Sequence, residues 1–327
     1  MIITQTPFRI SFFGGGTDYP EHFERHGGAV LGTAIDKSGF LTVMRFHSSL
    51  FDYSIRISYR QVECKPNIDQ IEHAPFRECL KWCKLTRDIE VNYSAELPSF
   101  VGLGSSSSFV VGLLNSLYAF QGKSIPPSEL AYQAIELERE VLHDCVGYQD
   151  QIFAAHGGFN LIEFRGKQDT VVNRVPLSPD RLAELEGHLL LVFTGIKRRA
   201  GKVAASQIKN ITRNTERLKR MRAMVDRGFS ILTGSGSLTD FGSLLHESWI
   251  CKQELDSTVS NGQIREMYER GLAAGALGGK LLGAGGGGFL LFLVPPERRE
   301  SLMAVFNDYE QIPIRLNAPG THVIHAS

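Results

Sequence analysis

Neither sign of charge is in excess in this chain: 35 lysines and arginines face 35 aspartates and glutamates. That balance argues against nucleic acid or an anionic membrane as the main partner, since both select a basic face. Cysteine is scarce and odd in number. Cys64, Cys79, Cys83, Cys145 and Cys251 make no paired framework, as expected of reduced thiols in a cytoplasm. Cys79 and Cys83 lie four apart, but no second Cys or His pair stands at the spacing that would complete a metal-thiolate site. The opening Met1-Ile2-Ile3-Thr4-Gln5-Thr6-Pro7 has no basic n-region and no long apolar core, so it does not read as a signal peptide. The longest apolar run, Gly285 to Val294, is too short to span a bilayer. A soluble, cytoplasmic protein is expected. A Walker A loop is missing as well. The near miss at Gly279-Lys280 has Ala274 where the first glycine belongs and Leu281 in place of Ser/Thr, which argues against a P-loop NTPase.

What the chain does have is 327 residues, 43% of them hydrophobic, enough for one large or two medium domains. Strand patterns and helix patterns mix without regular βαβ alternation, so an α+β fold is expected. Ile2 to Phe13 reads as a strand interrupted by Pro7. Ala29 to Ile35 and Phe40 to Phe46 read as two more, and Ala74 to Lys84 as a helix. Ser128 is the candidate cap of a helix carrying Leu130, Ala134 and Leu137. Residues 166–188 are polar and hold Pro176 and Pro179; a domain boundary is placed at their end, giving domains 1–185 and 186–327. Beyond it, Ala205 to Arg227 reads as one basic amphipathic helix.

Pro98 to Ser108, P-S-F-V-G-L-G-S-S-S-S, is the densest chemical signal. An alternating strand pattern precedes it, and a helix pattern follows from Ser105 to about Gln121. Free N–H groups of a first helical turn, together with the positive end of the helix dipole, form an anion site. Gly102 and Gly104 let the backbone curl without Cβ clashes. A flexible Gly/Ser connection is the plain alternative. Glu138 falls on the apolar ladder of its helix, and Asp150 follows in Gly147-Tyr148-Gln149-Asp150-Gln151. Phosphoryl transfer needs a divalent ion and a group that orients the attacking hydroxyl, and two carboxylates with a loop serine can divide those tasks. Arg9, set in a strand between Phe8 and Ile10, is either a surface cation or an inward one paired with an aspartate. Gly14-Gly15-Gly16-Thr17-Asp18 is either a plain turn or a close backbone approach with a carboxylate for sugar hydroxyls. Gly283-Ala284-Gly285-Gly286-Gly287-Gly288 is a tight turn before a strand, or a closure on the ligand from the second domain.

These stretches together resemble the GHMP kinases, the family of galactokinase, homoserine kinase, mevalonate kinase and phosphomevalonate kinase. The first family motif is matched by Thr6 to Tyr19, the second by Pro98 to Ser108 and the third by Lys280 to Phe289, in the family's order. The resemblance implies two α+β domains, the first ribosomal-protein-like and the second ferredoxin-like, with the site between them. It implies ATP and Mg²⁺ as cofactors. Gly102, Leu103, Gly104, Ser105, Ser106, Ser107 and Ser108 would hold ATP. Ser106, or alternatively Ser105, would bind Mg²⁺ with Glu138. Asp150 would be the catalytic group and Arg9 its cationic partner. Gly15, Gly16, Thr17, Asp18, Gly285 and Gly286 would face a sugar or sugar phosphate. The anomeric sugar kinases are the expected branch, with a heptose 7-phosphate as substrate; another sugar, or a non-catalytic sensing role, is the alternative. Galactokinases carry Gly-Glu-His-Thr-Asp-Tyr where this chain has Gly-Gly-Gly-Thr-Asp-Tyr, which widens that corner and argues against galactose. For a distal phosphate the candidates are Lys197, Arg198 and Arg199, or Arg25 and His26.

Overall fold

A computed structural model describes residues 1–197 and 200–327, with the backbone alone at 200–202. Its first element, β1 (Ile2–Phe13), is one unbroken strand. Pro7 does not interrupt it, because the register against the next strand shifts between Pro7 and Arg9. Such an irregularity accommodates a residue that has no N–H to give the ladder. After α1 (Pro20–His26) comes β2 (Gly28–Arg45), a single strand of 18 residues rather than two. Its polar middle suggests a break, yet Ser38 still pairs with Pro7 of β1.

The first unit continues with β3 (Ile55–Ser58), β4 (Val62–Lys65), α2 (Ala74–Trp82), β5 (Ile89–Ala95) and α3 (Ser105–Phe120). Then follow α4 (Pro127–Glu136), α5 (Gln149–His156), β6 (Phe159–Gly166) and β7 (Asp169–Arg174). Ser128 is not the cap of α4. Pro126 holds that position with Pro127 opening the helix, and the Ser128 hydroxyl lies 3.2 Å from His156 Nε2 instead. Residues 166–188 are no plain linker, for they contain β7 and α6 (Pro179–His188), the latter capped by Ser178 accepting from the Arg181 N–H at 3.1 Å.

The second unit has β8 (Leu189–Phe193), α7 (Ala200–Lys209), α8 (Thr215–Thr233), α9 (Leu238–Gln253), α10 (Gly262–Ala273), β9 (Gly278–Leu281), β10 (Phe289–Leu293), α11 (Pro296–Val305) and β11 (Gln311–Ile312). The expected single helix over 205–227 is two, α7 and α8. Asn210 and Asn214 break it: their side-chain amides donate to Asp256 Oδ2 at 3.2 Å and to the Leu255 carbonyl at 2.8 Å. Asparagine readily leaves the helix ladder for such local partners.

Two sheets result. The larger runs β12-β1-β2-β5-β3-β4, where β12 is His322–Ala326, and β6 with β7 branches from the first half of β2. The smaller runs β11-β8-β10-β9, antiparallel throughout. The stretch 186–327 expected as a second domain therefore keeps its own sheet only as far as β11, because β12 pairs along β1 in the first sheet. One hydrophobic cluster spans both units: Phe8, Phe12 and Phe13 of β1 meet Phe241 of α9 and Leu191 and Leu291 of β8 and β10. Among the described residues no helix is long and apolar enough to cross a membrane.

α3 lies directly on β1 and β2, buried on almost every side. It comes this close through Gly112: a Cβ there would stand 2.5 Å from Thr6 Oγ1 and 3.1 Å from Leu41 Cδ1. Gly112→Ala gains about 1 kcal/mol of helix propensity. Overpacking costs about 1–3 kcal/mol, so the variant is expected to be less stable than the wild type. A lowered urea midpoint at unchanged slope checks this.

Candidate active site

The glycine–serine loop delivers its chain to α3 through two left-handed residues, Gly102 at φ +85° and Gly104 at φ +74°. Gly104 is the residue before the helix, and no side chain caps the first turn, which also contains no acidic residue. Its N–H groups therefore have no intrahelical acceptor. Gly102, Gly104, Ser105, Ser106 and Ser107 line a cleft of about 150 Å³ between the two sheets. Two other expected loop residues do not line it. Leu103 is buried in the core, and the Ser108 hydroxyl donates to the Pro7 carbonyl at 2.7 Å.

Arg9 is the inward cation. Its Nε and second terminal nitrogen both reach Asp150 Oδ1, at 2.8 and 2.7 Å, and the remaining nitrogen donates to the Gly102 carbonyl at 2.8 Å. The Arg9 side chain is 7% exposed and that of Asp150 25%. Both cation contacts fall on Oδ1, and Asp150 lines the cleft. Asp150 stands in the first turn of α5, fixed beside the turn that follows β1.

That turn is built around Asp18. Its Oδ1 accepts from the Gly16 N–H at 2.9 Å and its Oδ2 from the Gln149 N–H at 3.4 Å, while its carbonyl accepts from the Tyr148 N–H at 3.0 Å. Burial pushes the Asp18 carboxyl above its ordinary range, the nearby Asp150 charge adds to this, and the two N–H donors oppose it. Gly147 is required here, since a Cβ would fall 2.0 Å from Asp18 Oδ2. Gly15, Gly16 and Asp18 line the cleft. Thr17 does not: fully buried, its hydroxyl donates to the Gly14 and Ala29 carbonyls at 2.8 and 2.9 Å and accepts from the Ala29 N–H. Its role is to tie the turn to β2, so the expectation that it meets the substrate is corrected.

From the second unit the glycine-rich turn closes on the loop. A Cβ at Gly283 would lie 2.6 Å from Gly102 Cα, so the two backbones meet without side chains. Gly283 and Ala284 line the cleft, not the expected Gly285 and Gly286. The latter pair turns toward residue 259: Gly286 donates to the Val259 carbonyl at 2.8 Å, and a Cβ at Gly285 would strike the Val259 backbone.

Two cleft lysines had no place in the sequence reading as site residues. Lys280 on β9 donates to the Ser11 and Phe12 carbonyls at 2.9 and 2.8 Å, reaching across from the second unit to the end of β1. Lys252 on α9 donates to the Leu281 carbonyl at 3.0 Å and to the Gly283 carbonyl. Burial lowers both, Lys252 to about 7 and Lys280 well below its usual range, and the Arg9 charge adds to each. A signal for Lys252 exists: it follows Phe241, Leu245 and Trp249 at helical spacing, on the buried stripe of α9. Lys280 is a charge inside an apolar strand pattern.

Glu138 lies just beyond α4, in a π-helical turn over Leu137–Val141, and is 1% exposed. The serine hydrogen-bonded to it is Ser107, while Ser106, expected with it on Mg²⁺, lines the cleft one residue away. Ser107 Oγ donates to Oε1 at 2.9 Å, and the Gln151 amide donates to Oε2 at 2.5 Å and to Ser107 Oγ at 3.2 Å. Burial pushes the Glu138 carboxyl up to about 8, against the pull of those two hydrogen bonds. A buried carboxylate next to a cleft-lining hydroxyl, with no cationic side chain bonded to it among the described residues, fits a divalent ion that takes only one or two protein oxygens. Of the residues proposed for a distal phosphate, Lys197, Arg25 and His26 are exposed and do not line the cleft. Arg198 and Arg199 lie outside the described residues.

The raised Glu138 carboxyl has a stability signature. Below about pH 4.5 it is protonated in the folded and unfolded chain alike and costs nothing. From there to about pH 8 the folded chain keeps a proton that the unfolded chain has lost, so stability falls as pH rises; above that the penalty is complete. Without divalent cations, Glu138→Gln is expected to be more stable than wild type by about 1–4 kcal/mol near pH 9 and equal to it near pH 4.5. Urea melts at the two pH values measure the difference.

Known proteins resemble this chain over most of its length. The family model described as GHMP kinases N terminal domain matches residues 74–158, and that described as GHMP kinases C terminal matches residues 229–309. The D-glycero-alpha-D-manno-heptose 7-phosphate kinase of Campylobacter jejuni is 30% identical over 313 residues, 92% of either chain. The bifunctional fucokinase/GDP-fucose pyrophosphorylase of Arabidopsis thaliana is 27% identical over 95% of this chain, which spans 32% of that protein. The crystal structure of a D-glycero-D-manno-heptose 1-phosphate kinase from Bacteroides thetaiotaomicron superposes over all of both chains, with a TM-score of 0.83 at 22% identity. The two-unit α+β fold is shared with that structure, and this chain belongs to the GHMP kinases.

Proposed function

We propose that this kinase transfers the γ-phosphoryl group of ATP to the anomeric hydroxyl of a sugar phosphate, D-glycero-D-manno-heptose 7-phosphate, giving the 1,7-bisphosphate. The observation that carries the reading is the Arg9–Asp150 pair, which lines one cleft together with the uncapped N-terminus of α3. The heptose assignment rests on the Campylobacter jejuni relative. It also draws on Gly15, whose missing side chain leaves room for a bulky sugar.

In this reading the first-turn N–H groups of α3 and the hydroxyls of Ser105 to Ser107 hold the ATP phosphates, with Gly102 and Gly104 allowing the close approach. Arg9 holds Asp150 by Oδ1 so that Oδ2 faces the substrate. The anomeric O–H donates to Oδ2 and its oxygen attacks the γ-phosphorus. As that bond forms, the bond from phosphorus to the β,γ-bridging oxygen breaks and ADP leaves; the proton passes to Asp150. Asp18 accepts from a sugar hydroxyl. Mg²⁺ would be held by Glu138 and Ser107, with Ser106 beside them, and supplies neutralisation of phosphate charge. Catalysis on this plan is largely placement: the protein fixes the two reactants and the fixed dipoles meet charge where it develops.

A coupled ADP-release assay across sugars and sugar phosphates tests the substrate. Heptose 7-phosphate is expected to give the highest kcat/KM; an unphosphorylated sugar turned over faster overturns the assignment. Asp150→Asn is expected to lower kcat at least a thousand-fold on the order expected for losing an essential group, while ATP affinity, read by nucleotide-induced thermal shift, changes little. Wild-type turnover in this variant removes Asp150 from the mechanism.

A further inference from the structure

Two buried polar atoms at the sugar end of the cleft have no partner among the described residues: Ser11 Oγ and Gln149 Oε1. Both residues line the cleft, and Ser11 is only 8% exposed. A buried hydroxyl or amide oxygen left without a partner is costly in a folded protein, and native structures keep few of them. Between Ser11 Oγ and the amide nitrogen of Gln149 lies an opening. A Cβ built on Gly15 would stand 3.7 Å from Ser11 Oγ and 3.7 Å from Gln149 Nε2, with no other atom near it.

The surroundings fix the two groups and leave their polar ends free. Lys280 holds the Ser11 carbonyl at 2.9 Å, and the Gln149 N–H is directed at Asp18 Oδ2. Ser11 lies two residues beyond Arg9 on β1, hence on the same face, about 7 Å along the strand. Gln149 immediately precedes Asp150 at the start of α5. Ser11 and Gln149 thus share the cleft with the Arg9–Asp150 pair.

We infer that Ser11 and Gln149, across the open space over Gly15, form a subsite for a single substrate hydroxyl close to the reacting one. That hydroxyl accepts from the Gln149 side-chain amide N–H and donates to Ser11 Oγ, which gives the orphaned serine oxygen its partner. Such a site determines specificity, because a sugar lacking the hydroxyl, or holding it on the other face of the ring, leaves the buried serine oxygen unpaired. The subsite rests on the proposed sugar-kinase reading and adds to it residues outside the glycine–aspartate turn. Asp18, bonded to the Gln149 backbone N–H, holds a different hydroxyl.

The test uses Ser11→Ala, Gln149→Leu and Gly15→Ala, assayed with the sugar that the wild-type protein phosphorylates best and with its monodeoxy analogues. Ser11→Ala and Gln149→Leu are expected to raise the sugar KM about ten-fold, the worth of one hydrogen bond, with the ATP KM unchanged within about two-fold. One deoxy analogue is expected to be a poor substrate for the wild type yet to suffer no further loss in Ser11→Ala, since variant and analogue delete the same contact. Gly15→Ala fills the opening without strain, its Cβ at ordinary contact distance and its backbone outside the left-handed region. It is expected to raise the sugar KM at unchanged melting temperature. Ser11→Ala is expected to melt no lower than wild type, because it removes a hydroxyl that bonds nothing in the free protein. Sugar KM values unchanged in both Ser11→Ala and Gln149→Leu, or a deoxy penalty that persists undiminished in Ser11→Ala for every analogue, overturn the subsite. A wild-type protein that phosphorylates no sugar of the panel overturns the kinase assignment itself, and the subsite with it; this is read before any variant, so the two failures are separate.

Discussion

The Arg9 guanidinium is the contact on which the rest of the cleft depends. One side chain, nearly excluded from water, joins three segments far apart in the chain: its own strand, the loop at Gly102 and the helix start at Asp150. Its backbone N–H adds a bond to the Leu103 carbonyl at 3.0 Å, and its aliphatic part packs beneath Gly104, where a Cβ would lie 3.1 Å from Arg9 Cγ. A planar, permanently charged fork suits this work; a lysine in its place could not hold a carboxylate by one oxygen with two N–H groups and a carbonyl with a third. The phosphate loop and the reacting carboxylate are therefore not placed independently. A shift of either is felt by the other through one rigid group.

A second set of contacts does for the two units what Arg9 does for the site. Lys280 runs from β9 to the carbonyls at the end of β1, Gly283 rests on Gly102, and a Cβ at Gly288 would stand 2.3 Å from the Val101 carbonyl. The cleft wall at this seam is almost all backbone. Its cations, Lys252 and Lys280, are bonded to carbonyls and depressed by burial. Carbonyl oxygens offset part of the desolvation of an ammonium group, but only an anion can restore its charge fully. An anionic ligand in this cleft meets groups held short of their preferred protonation.

The parts of this arrangement that could be read from the sequence are those in which one residue type has one mechanical use. Glycines before a helix of serines and an arginine inside a strand stand where the pattern placed them, and the Glu138 carboxylate is buried as its pattern required but in a π-helical turn beyond α4. What stayed hidden depended on which way a side chain turns. Thr17 and Ser108 sit in the same motifs as cleft residues, but their hydroxyls satisfy backbone groups of neighbouring strands. Ser107 rather than Ser106 meets Glu138, a choice set by the helical rotation of α3 against the π-helical turn over Leu137–Val141. Gly285 and Gly286 were indistinguishable from Gly283 until the turn's path beside Val259 was known. The strand breaks and the helix break were misread for a related reason: pairing along β1 overrides a polar stretch in β2, and side-chain bonds to residues 255–256 override a continuous helical pattern before α8.

The return of β12 to the edge of β1 bears on how the cleft can move. The chain leaves the first sheet after β7 and comes back to it beyond β11. On the way Leu316 bridges Ile35, and Asp36 exchanges hydrogen bonds with Arg315. A body tethered to another by a single strand of chain can turn about any axis through that point. Tethered at two, it retains one rotation, about the line through both. Any opening of this cleft to exchange reactants is thereby a motion of few degrees of freedom, and closing returns the glycine backbones of the two units to the same register each time.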